Sequence, residues 1–369
     1  PEVPAEGVTI LLRHQPAFAR SIPENYDIVF LGGGCSLLFC MLPMNFLDQD
    51  ATADYALTGV WANKACKEAR LFGNVNVACD TKSETYCRID KNLKLSDNAT
   101  YLHITANNTI YGTEWHNFPK PKSGFLMADV SSDFLARKIN VSDFGVVYGG
   151  AQKNISCAGV TVTIIRRDLL GKVNRTIPTM LNFQTHIDAK NMFNTPPVFA
   201  VYVMNRTLKW LKEFGGVEAI EKVNRDKAAL LYSALDNSKV FVGTAAKEDS
   251  SDHSQTYRQE EGVDEADIDT IISHAYGLHP VTVKPTTNCQ KSLYAVDELT
   301  GIVHAYSLMR PEKFDGMNVK SLKKKFKDKR FAAKCNREVI TKGVEDLGMT
   351  LDDVMALCIK GMSEHADEL

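Results

Sequence analysis

The chain has 369 residues, of which 44% are hydrophobic, 24% charged and 9% aromatic. This composition excludes a disordered, collagen-like or low-complexity protein. The formal charge of −2, from 43 lysines and arginines against 45 aspartates and glutamates, argues against binding of nucleic acid or anionic lipid through overall charge. No apolar run reaches the roughly 18–20 residues that a membrane span needs, so no membrane association is expected.

The cysteines and the N-terminus indicate the compartment. Nine cysteines occur without a CxxC pair, which excludes a zinc ribbon and argues against a disulfide framework. No N-terminal stretch has the pattern of a signal peptide. We therefore expect a cytoplasmic protein.

The first part of the chain, residues 1–247, alternates short apolar runs with longer stretches of helical spacing. The runs predict strands at Asp27–Leu31, Tyr101–Thr105, Phe125–Asp129, Val146–Tyr148 and Val160–Ile165, and the spacing predicts helices that include Trp61–Phe72, Asp133–Arg137 and Val198–Phe214. Short buried strands that alternate with helices are typical of an α/β fold with a largely parallel or mixed sheet.

The pattern changes after the polar segment Lys247–Asp252. Apolar residues then recur at spacings of three and four, which predicts helices at Asp264–His274, Lys291–Met309, Val319–Phe331 and Leu351–Ala366. We therefore predict an α/β domain at 1–247 and an all-α domain at 248–369.

Two features of the first domain suggest a ligand site. Strand Asp27–Leu31 runs into Gly32–Gly34 and a helix that starts near Ser36; glycines before a helix N-terminus can cradle a phosphate, or simply form a tight turn. Asp129 ends an apolar strand, where open α/β sheets bind ligands. Because Ser131, Ser132 and Asp133 follow, the aspartate can instead cap a helix.

Two further residues are ambiguous when each is taken singly. Lys153 comes shortly after an apolar strand and two glycines, so a flat ligand can pack closely against it, although most lysines are surface residues. Trp61 opens a predicted helix after Thr58 and Gly59, and most tryptophans in such positions belong to the core.

These features occur within stretches that closely resemble phosphoserine aminotransferases, which belong to the fold type I class of pyridoxal-phosphate enzymes. The resemblance covers about residues 22–248 and is carried by Gly33–Asn45, Leu57–Val77, Tyr101–Gly112, Ala128–Leu135, Gly149–Gly159 and Phe193–Tyr202. It implies a large domain with a mostly parallel, seven-stranded sheet and a homodimer with shared active sites. It also implies amino-group transfer between phosphoserine and 2-oxoglutarate, giving 3-phosphohydroxypyruvate and glutamate, in serine biosynthesis.

The resemblance also implies roles for individual residues. Lys153 matches the lysine that binds pyridoxal phosphate covalently and moves the proton at the substrate, and Asp129 matches the partner of the pyridine nitrogen. Trp61 matches the residue that stacks on the ring. The remaining matches are Thr109 and Gln152 near the phenolic oxygen, Cys35 and Ser36 at the cofactor phosphate, and Asn194 and Thr195 at the phosphate of the neighbouring subunit's cofactor.

The chain departs from the family where the substrate binds. The family holds its phosphate and carboxylate groups with arginines from an early Ser-His-Arg motif and from a small domain with a His-Arg motif, and neither motif occurs in this sequence. Impaired turnover is therefore expected. The alternative is a non-catalytic protein, either a pyridoxal-phosphate binder or a dimeric structural scaffold.

The last part of the chain resembles the C-terminal half of an HD-superfamily protein, a class of helical, metal-dependent phosphohydrolases. Glu261–Asp264, Ile272–His274, Leu293–Gly301, Lys320–Arg337 and Gly361–Leu369 carry this resemblance. His253, His274 and Asp297 are weak metal candidates, because the His-Asp doublet that defines the family is missing. We therefore expect no metal, and hydrolysis is the lowest-ranked function. The basic run Lys320–Arg330 is interpreted as a solvated helix face rather than a nucleic-acid site.

Overall fold

The computed structural model describes residues 22–238, 241–259, 265–278 and 280–366. The chain divides into two compact units, Pro1–Gln259 and Glu260–Leu369. This division comes later than the predicted boundary at residue 247, because the following segment is bonded to the first unit. The Asp249 carboxylate accepts a hydrogen bond from the Ile89 amide at 2.8 Å, and the Ser251 amide donates to the Gly112 carbonyl at 2.8 Å.

The first unit is built on a seven-stranded sheet. Its strands are β1 (Tyr26–Leu31), β2 (Thr52–Leu57), β3 (Asn74–Asp80), β4 (Ala99–Thr105), β5 (Asn107–Asn108), β6 (Thr113–Glu114), β7 (Phe125–Asp129), β8 (Val146–Gly150), β9 (Thr161–Arg166), β10 (Phe241–Gly243) and β11 (Tyr257–Gln259). The main sheet has the order β1-β9-β8-β7-β4-β2-β3, and the β5–β6 and β10–β11 pairs form small separate ribbons. Only the two pairings of β9 are antiparallel in the main sheet. The prediction of an α/β fold with a mostly parallel sheet is therefore confirmed.

Helices cover both faces of this sheet. They are α1 (Gly34–Phe46), α2 (Val60–Ala69), α3 (Phe183–Asp188), α4 (Val198–Glu213) and α5 (Gly216–Asp236). One apolar cluster packs α1 and α2 against the face that carries Met127 of β7, and another packs Met204 and Leu208 of α4 against the face that carries Leu126. Successive residues of β7 thus enter opposite cores, and both faces of the sheet are withdrawn from water.

One predicted helix of the first unit is wrong. Residues 133–137 form turns rather than a helix, because Leu135 has a left-handed backbone with φ of 59°, which interrupts helical hydrogen bonding. No helix therefore follows Asp129 directly, and the interpretation of this aspartate as a helix cap is also wrong.

The described elements of the second unit are five helices. They are α6 (Glu265–Ser273), α7 (Asn288–Ser307), α8 (Val319–Lys327), α9 (Arg337–Asp346) and α10 (Leu351–Glu364). Their core includes Leu299, Ile302, Ile340 and Met355. Nowhere in the described residues is a helix both long and apolar enough to cross a membrane.

The basic run of the second unit is partly engaged with its own helices. Helix α8 ends at Lys327, before the predicted end at Phe331, because Asp328 has extended backbone angles. Leu322 is buried, the Lys323 ammonium pairs with the Asp352 carboxylate at 2.6 Å, and the Lys325 ammonium lies 5.6 Å from the centre of the Tyr306 ring. These contacts favour an amphipathic helix packed on its own unit.

Candidate active site

Three neighbouring strands of the main sheet end at one edge. Thr105 at the end of β4 pairs with Asp129 at the end of β7, and Asp129 pairs with Tyr148 near the end of β8. A cavity of about 360 Å³, measured with its open mouth, lies at this edge. Its wall consists of Cys35, Phe39, Trp61, Thr105, Asn107, Asp129, Ser131, Ser132, Gln152 and Lys153.

The cavity brings together five of the residues that the sequence analysis selected, namely Cys35, Trp61, Asp129, Gln152 and Lys153. A sixth residue, Thr109, adjoins the site because its hydroxyl accepts a hydrogen bond from the Lys153 ammonium at 2.6 Å. The other three do not line the wall: Ser36, Asn194 and Thr195 are exposed. Their roles, and those of the wall residues, remain predictions.

Asp129 is a buried carboxylate with only 4% of its surface exposed. Burial raises the pKa of Asp129, whereas two hydrogen bonds from Ser131 and the nearby charge of Lys153 act to lower it. Both of these hydrogen bonds end on Oδ1, at 2.6 Å from the Ser131 hydroxyl and 2.9 Å from its amide. Oδ2 accepts no hydrogen bond from the described residues, so a ligand can use it.

Lys153 lies at the mouth of the same cavity. Burial lowers the pKa of its ammonium, while the charges of Asp129 and Cys35 act to raise it. A lysine with a lowered pKa is more readily deprotonated and is therefore a better nucleophile and base near neutral pH. The arrangement places an amine and a carboxylate around a space that a flat heterocycle can enter.

The glycine run forms the turn into α1. Gly33 has φ of 92° and Gly34 has φ of 69°, and a side chain on Gly33 would come within 2.6 Å of Leu37 Cδ2. The first-turn amides, which include those of Cys35 and Ser36, have no partners within the helix and are available to an anion. Burial, followed by the charge of Asp129, raises the pKa of the Cys35 thiol to about 12.

Several polar atoms in the cavity wall have no partner within the protein. Trp61 Nε1, Thr105 Oγ1 and Asn107 Oδ1 are buried and make no hydrogen bond to the described residues. Buried polar groups are usually paired, so unpaired ones around one cavity indicate a missing ligand or water. The ammonium of Lys64 lies 4.5 Å from the centre of the Trp61 ring.

Five wall residues were missed by the sequence analysis: Phe39, Thr105, Asn107, Ser131 and Ser132. The position of Thr105 at the end of a predicted strand beside Asp129 was an available signal. Ser131 and Ser132 were noted only as residues that follow a possible helix cap at Asp129, whereas Ser131 bonds to Asp129 and Ser132 bonds to Asn107.

Lys153 also lines a second cavity of about 1050 Å³. Its wall includes Trp210, Asn224, Lys227 and His253. Among the described residues, neither cavity wall contains an arginine. An anionic substrate would therefore meet lysine rather than guanidinium groups.

A buried ion cluster adjoins the second cavity. His253 Nε2 lies 3.2 Å from a Glu114 oxygen and 3.3 Å from an Asp133 oxygen, and the Arg137 guanidinium pairs with the same two carboxylates at 3.0 and 2.8 Å. Burial acts to lower the pKa of His253, but Asp133 and Glu114 outweigh it, so that the pKa is raised. Burial and the charge of Asp133 raise the pKa of Glu114, while Arg137 and His253 act to lower it, so the two cations favour the charged forms of both carboxylates.

The ion cluster also contains side chains that could ligate a metal. Within the described residues, Glu114, Asp133 and His253 are the one group of three potential ligands that lie within 4.8 Å of one another. The Arg137 guanidinium and the His253 imidazole already pair with both carboxylates, which disfavours a metal cation there. The other two weak metal candidates, His274 and Asp297, belong to no such group among the described residues.

Comparisons with known proteins agree on one family. The model of the family "Aminotransferase class-V" matches residues 17–309, beyond the range of about 22–248 indicated by motifs. The phosphoserine aminotransferase of Lysinibacillus sphaericus (strain C3-41) is 48% identical over 260 residues, which are 70% of this chain and 70% of that protein. The match to another curated relative covers 63% of that relative's length.

Solved structures give the same result. A phosphoserine aminotransferase examined for radiation damage of its Schiff base has a TM-score of 0.68 and 42% identity, with 74% of each chain covered. The PLP-bound phosphoserine aminotransferase from Trichomonas vaginalis has a TM-score of 0.64 and 33% identity, with 69% of this chain and 75% of that chain covered.

Proposed function

Because the chain belongs to the phosphoserine aminotransferase family of class-V aminotransferases, we propose that it binds pyridoxal phosphate and transfers an amino group from phosphoserine to 2-oxoglutarate. This reaction would place it in serine biosynthesis. The observation that carries the proposal is that Asp129 and Lys153 line the same cavity, which lies at the edge of the main sheet. The relatives are named phosphoserine aminotransferases, one of the solved structures is PLP-bound, and the chain shares most of their length.

The cavity fits this cofactor. Asp129 offers an unbonded carboxylate oxygen, and Trp61 offers a flat ring at the wall. The free amides of the first turn of α1 suit a phosphate group. The buried, unpaired atoms of Thr105 and Asn107 would gain polar partners from a bound heterocycle.

Each of these residues has a defined task. Pyridoxal phosphate, when bound, supplies a ring that accepts the electron pair left when the substrate Cα–H bond breaks. Asp129 keeps the ring nitrogen protonated by presenting a negative charge to it. Lys153 would hold the cofactor through its amine and would serve as the base that moves the proton at the substrate Cα. Thr109 fixes the position of that amine through their 2.6 Å hydrogen bond.

We propose a homodimer for the same site. Asn194 and Thr195 lie between α3 and α4 and are exposed, away from the cavity of their own chain. A second copy of the chain would give these side chains a cofactor phosphate to contact. The supporting observation is their exposure beside Phe193 and Phe199, whose side chains are 43% and 71% exposed.

The alternative function is cofactor binding without turnover. The observation that favours it is the lack of arginine in the described walls of both cavities, because carboxylate and phosphate groups are best held by bidentate guanidinium contacts. Loss of these contacts weakens substrate binding while the cofactor contacts remain.

A single half-reaction experiment tests the proposal. Purified protein is loaded with pyridoxal phosphate, and the visible absorption of the bound cofactor is followed while phosphoserine, glutamate or alanine is added. Conversion of the band by phosphoserine and glutamate, with little response to alanine, is expected. The variant Lys153→Ala is the matched control and should give no conversion.

The other outcomes separate the alternatives. A stable cofactor band that phosphoserine and glutamate leave unchanged would replace the transaminase proposal with the non-catalytic one. A protein that acquires no band at all would overturn both.

We propose no separate function for the second unit. The resemblance of residues 248–369 to an HD-superfamily phosphohydrolase is kept as a proposal about ancestry only, since the described residues of that unit assemble no group of three metal-ligating side chains. Metal binding that disappears on substitution of His274 or Asp297 would revive the hydrolase hypothesis.

A further inference from the structure

Ser131 lies at the centre of a small hydrogen-bond group in the wall of the cofactor cavity. Its hydroxyl and its amide both donate to Asp129 Oδ1, at 2.6 and 2.9 Å. The same hydroxyl oxygen accepts from the Gly150 amide at 3.0 Å and lies 3.2 Å from Cys35 Sγ. Ser131 therefore joins the ends of β7 and β8 to the first turn of α1.

The donors and acceptors in this group balance completely. A serine hydroxyl has one proton to donate and two lone pairs to accept with. Asp129 takes the proton, and the Gly150 amide takes one lone pair. The remaining lone pair faces Cys35, so the thiol must be the donor in that contact. The raised pKa of Cys35, about 12, keeps that proton on the sulfur.

This balance fixes the direction of the hydroxyl. With both lone pairs engaged, rotation of the Ser131 hydroxyl away from Asp129 would leave a donor without an acceptor. Oδ1 is held by two donors, and Oδ2 is the oxygen left to face a ligand. Hydrogen bonds to a carboxylate stabilise its charged form and offset the effect of burial.

We propose that Ser131 is a positioning residue that keeps Asp129 ionised and aims its free oxygen at the ring nitrogen of the cofactor. The inference rests on the proposed function for the identity of that ring. Ser131 itself contacts Asp129, not the reacting atoms, and acts through it. Cys35 serves as the second support, since its thiol holds the hydroxyl from the side of α1.

The first measurement uses the cofactor-free protein. The Asp129 carboxyl carbon is followed by NMR through a pH titration, with Asp129→Asn to assign the signal. In Ser131→Ala the pKa of Asp129 should rise by about one unit or more, because a charge-assisted hydrogen bond is worth about that much. Ser131→Thr keeps the hydroxyl and should titrate like the wild type.

The second measurement is the dissociation constant of pyridoxal phosphate, followed by absorbance. Ser131→Ala should bind about tenfold more weakly, which corresponds to one lost charge-assisted hydrogen bond. Ser131→Thr should restore binding. The control Ser156→Ala removes a hydroxyl that bonds to the Ala200 carbonyl at 2.6 Å and contacts Cys157 Sγ at 3.9 Å, outside the cavity wall, and should leave the constant unchanged.

The outcomes are separable. If Ser131→Ala fails to fold, the pair Ser131→Thr and Ser131→Val, which have the same shape with and without a hydroxyl, gives the same comparison. An unchanged Asp129 titration in the variants without the hydroxyl would overturn the role of Ser131. Absence of cofactor binding in the wild type as well would instead overturn the proposed function, while the titration would still report on Ser131.

Discussion

Loss of the positive charge of His253 should destabilise the first unit strongly and in a pH-dependent way. The side chains of Glu114 and Asp133 are fully buried, and those of Arg137 and His253 are only 9% and 10% exposed. In His253→Gln, two buried carboxylates share one guanidinium, so one negative charge is left without a counter-ion. Breaking a buried ion pair in this way costs about 3–5 kcal/mol.

The sign of the pH dependence follows from the raised pKa of His253. A group whose pKa is higher in the folded than in the unfolded state binds more protons when folded, so its contribution is complete below the unfolded pKa. That contribution is lost as the pH rises through the folded pKa. The difference between the wild type and His253→Gln should therefore be large at about pH 6, near the unfolded value, and should shrink under alkaline conditions.

The assay is urea unfolding followed by tryptophan fluorescence. All three tryptophans, Trp61, Trp115 and Trp210, belong to the first unit, so the signal reports on that unit. The control His116→Gln alters an exposed imidazole 3.8 Å from the same Glu114 carboxylate and should cost less than about 0.5 kcal/mol. Equal destabilisation by His253→Gln at about pH 6 and under alkaline conditions would refute the proposed role of the His253 charge.

Three further substitutions test other parts of the first unit. Trp61→Ala should weaken pyridoxal-phosphate binding about three- to tenfold, since stacking of aromatic rings is worth about 1 kcal/mol; spectrophotometric titration measures it, and unchanged affinity would exclude stacking. Gly33→Ala should lower the free energy of unfolding by about 1–3 kcal/mol, because the new side chain meets a positive φ and lies 2.6 Å from Leu37 Cδ2. Tyr148→Phe removes the hydroxyl 2.7 Å from the buried His103 Nε2 and should cost about 1–3 kcal/mol in urea unfolding; a neutral effect would show that water replaces the hydroxyl.

The parts of the fold that the sequence predicted are those with strong local patterns. The strand Phe125–Asp129 agrees with the structure at both ends, and α4 and α10 begin where expected. By contrast, β2 and β3 were not predicted, because each carries a polar residue at its centre. The buried carboxylate of Asp54 in β2 accepts hydrogen bonds from Asn76 of β3 at 2.7 Å and from the amide and hydroxyl of Ser96 at 3.0 and 2.7 Å, tertiary contacts that no local pattern contains.

The candidate site likewise contains residues that local sequence patterns predicted and residues that only tertiary contacts define. Asp129 and Lys153 were found because each comes at or just after the end of an apolar strand, and parallel strands bring such ends together. Asp129 was interpreted as a possible helix cap because Ser131, Ser132 and Asp133 follow it, and no role was predicted for Ser131. Its actual partner, the Asp129 carboxylate, became visible only when the turn at Leu135 showed that no helix follows.

The ion cluster could not be predicted from spacing either. Asp133 and Arg137 are four residues apart within a stretch that was predicted as a helix, but their pairing occurs across turns. Glu114 and His253 are distant in sequence and meet through the backbone bonds that tie residues 249–256 to the first unit. Only the folded chain brings these four charges together.

The proposed function requires that the amine of Lys153 carries pyridoxal phosphate in the cavity that Asp129 lines. Borohydride reduction of the cofactor-loaded protein, followed by peptide mapping by mass spectrometry, identifies the modified lysine. We expect a pyridoxyl group on the peptide that contains Lys153, and its loss in Lys153→Ala. Modification of another lysine, with Lys153 left intact, would contradict it.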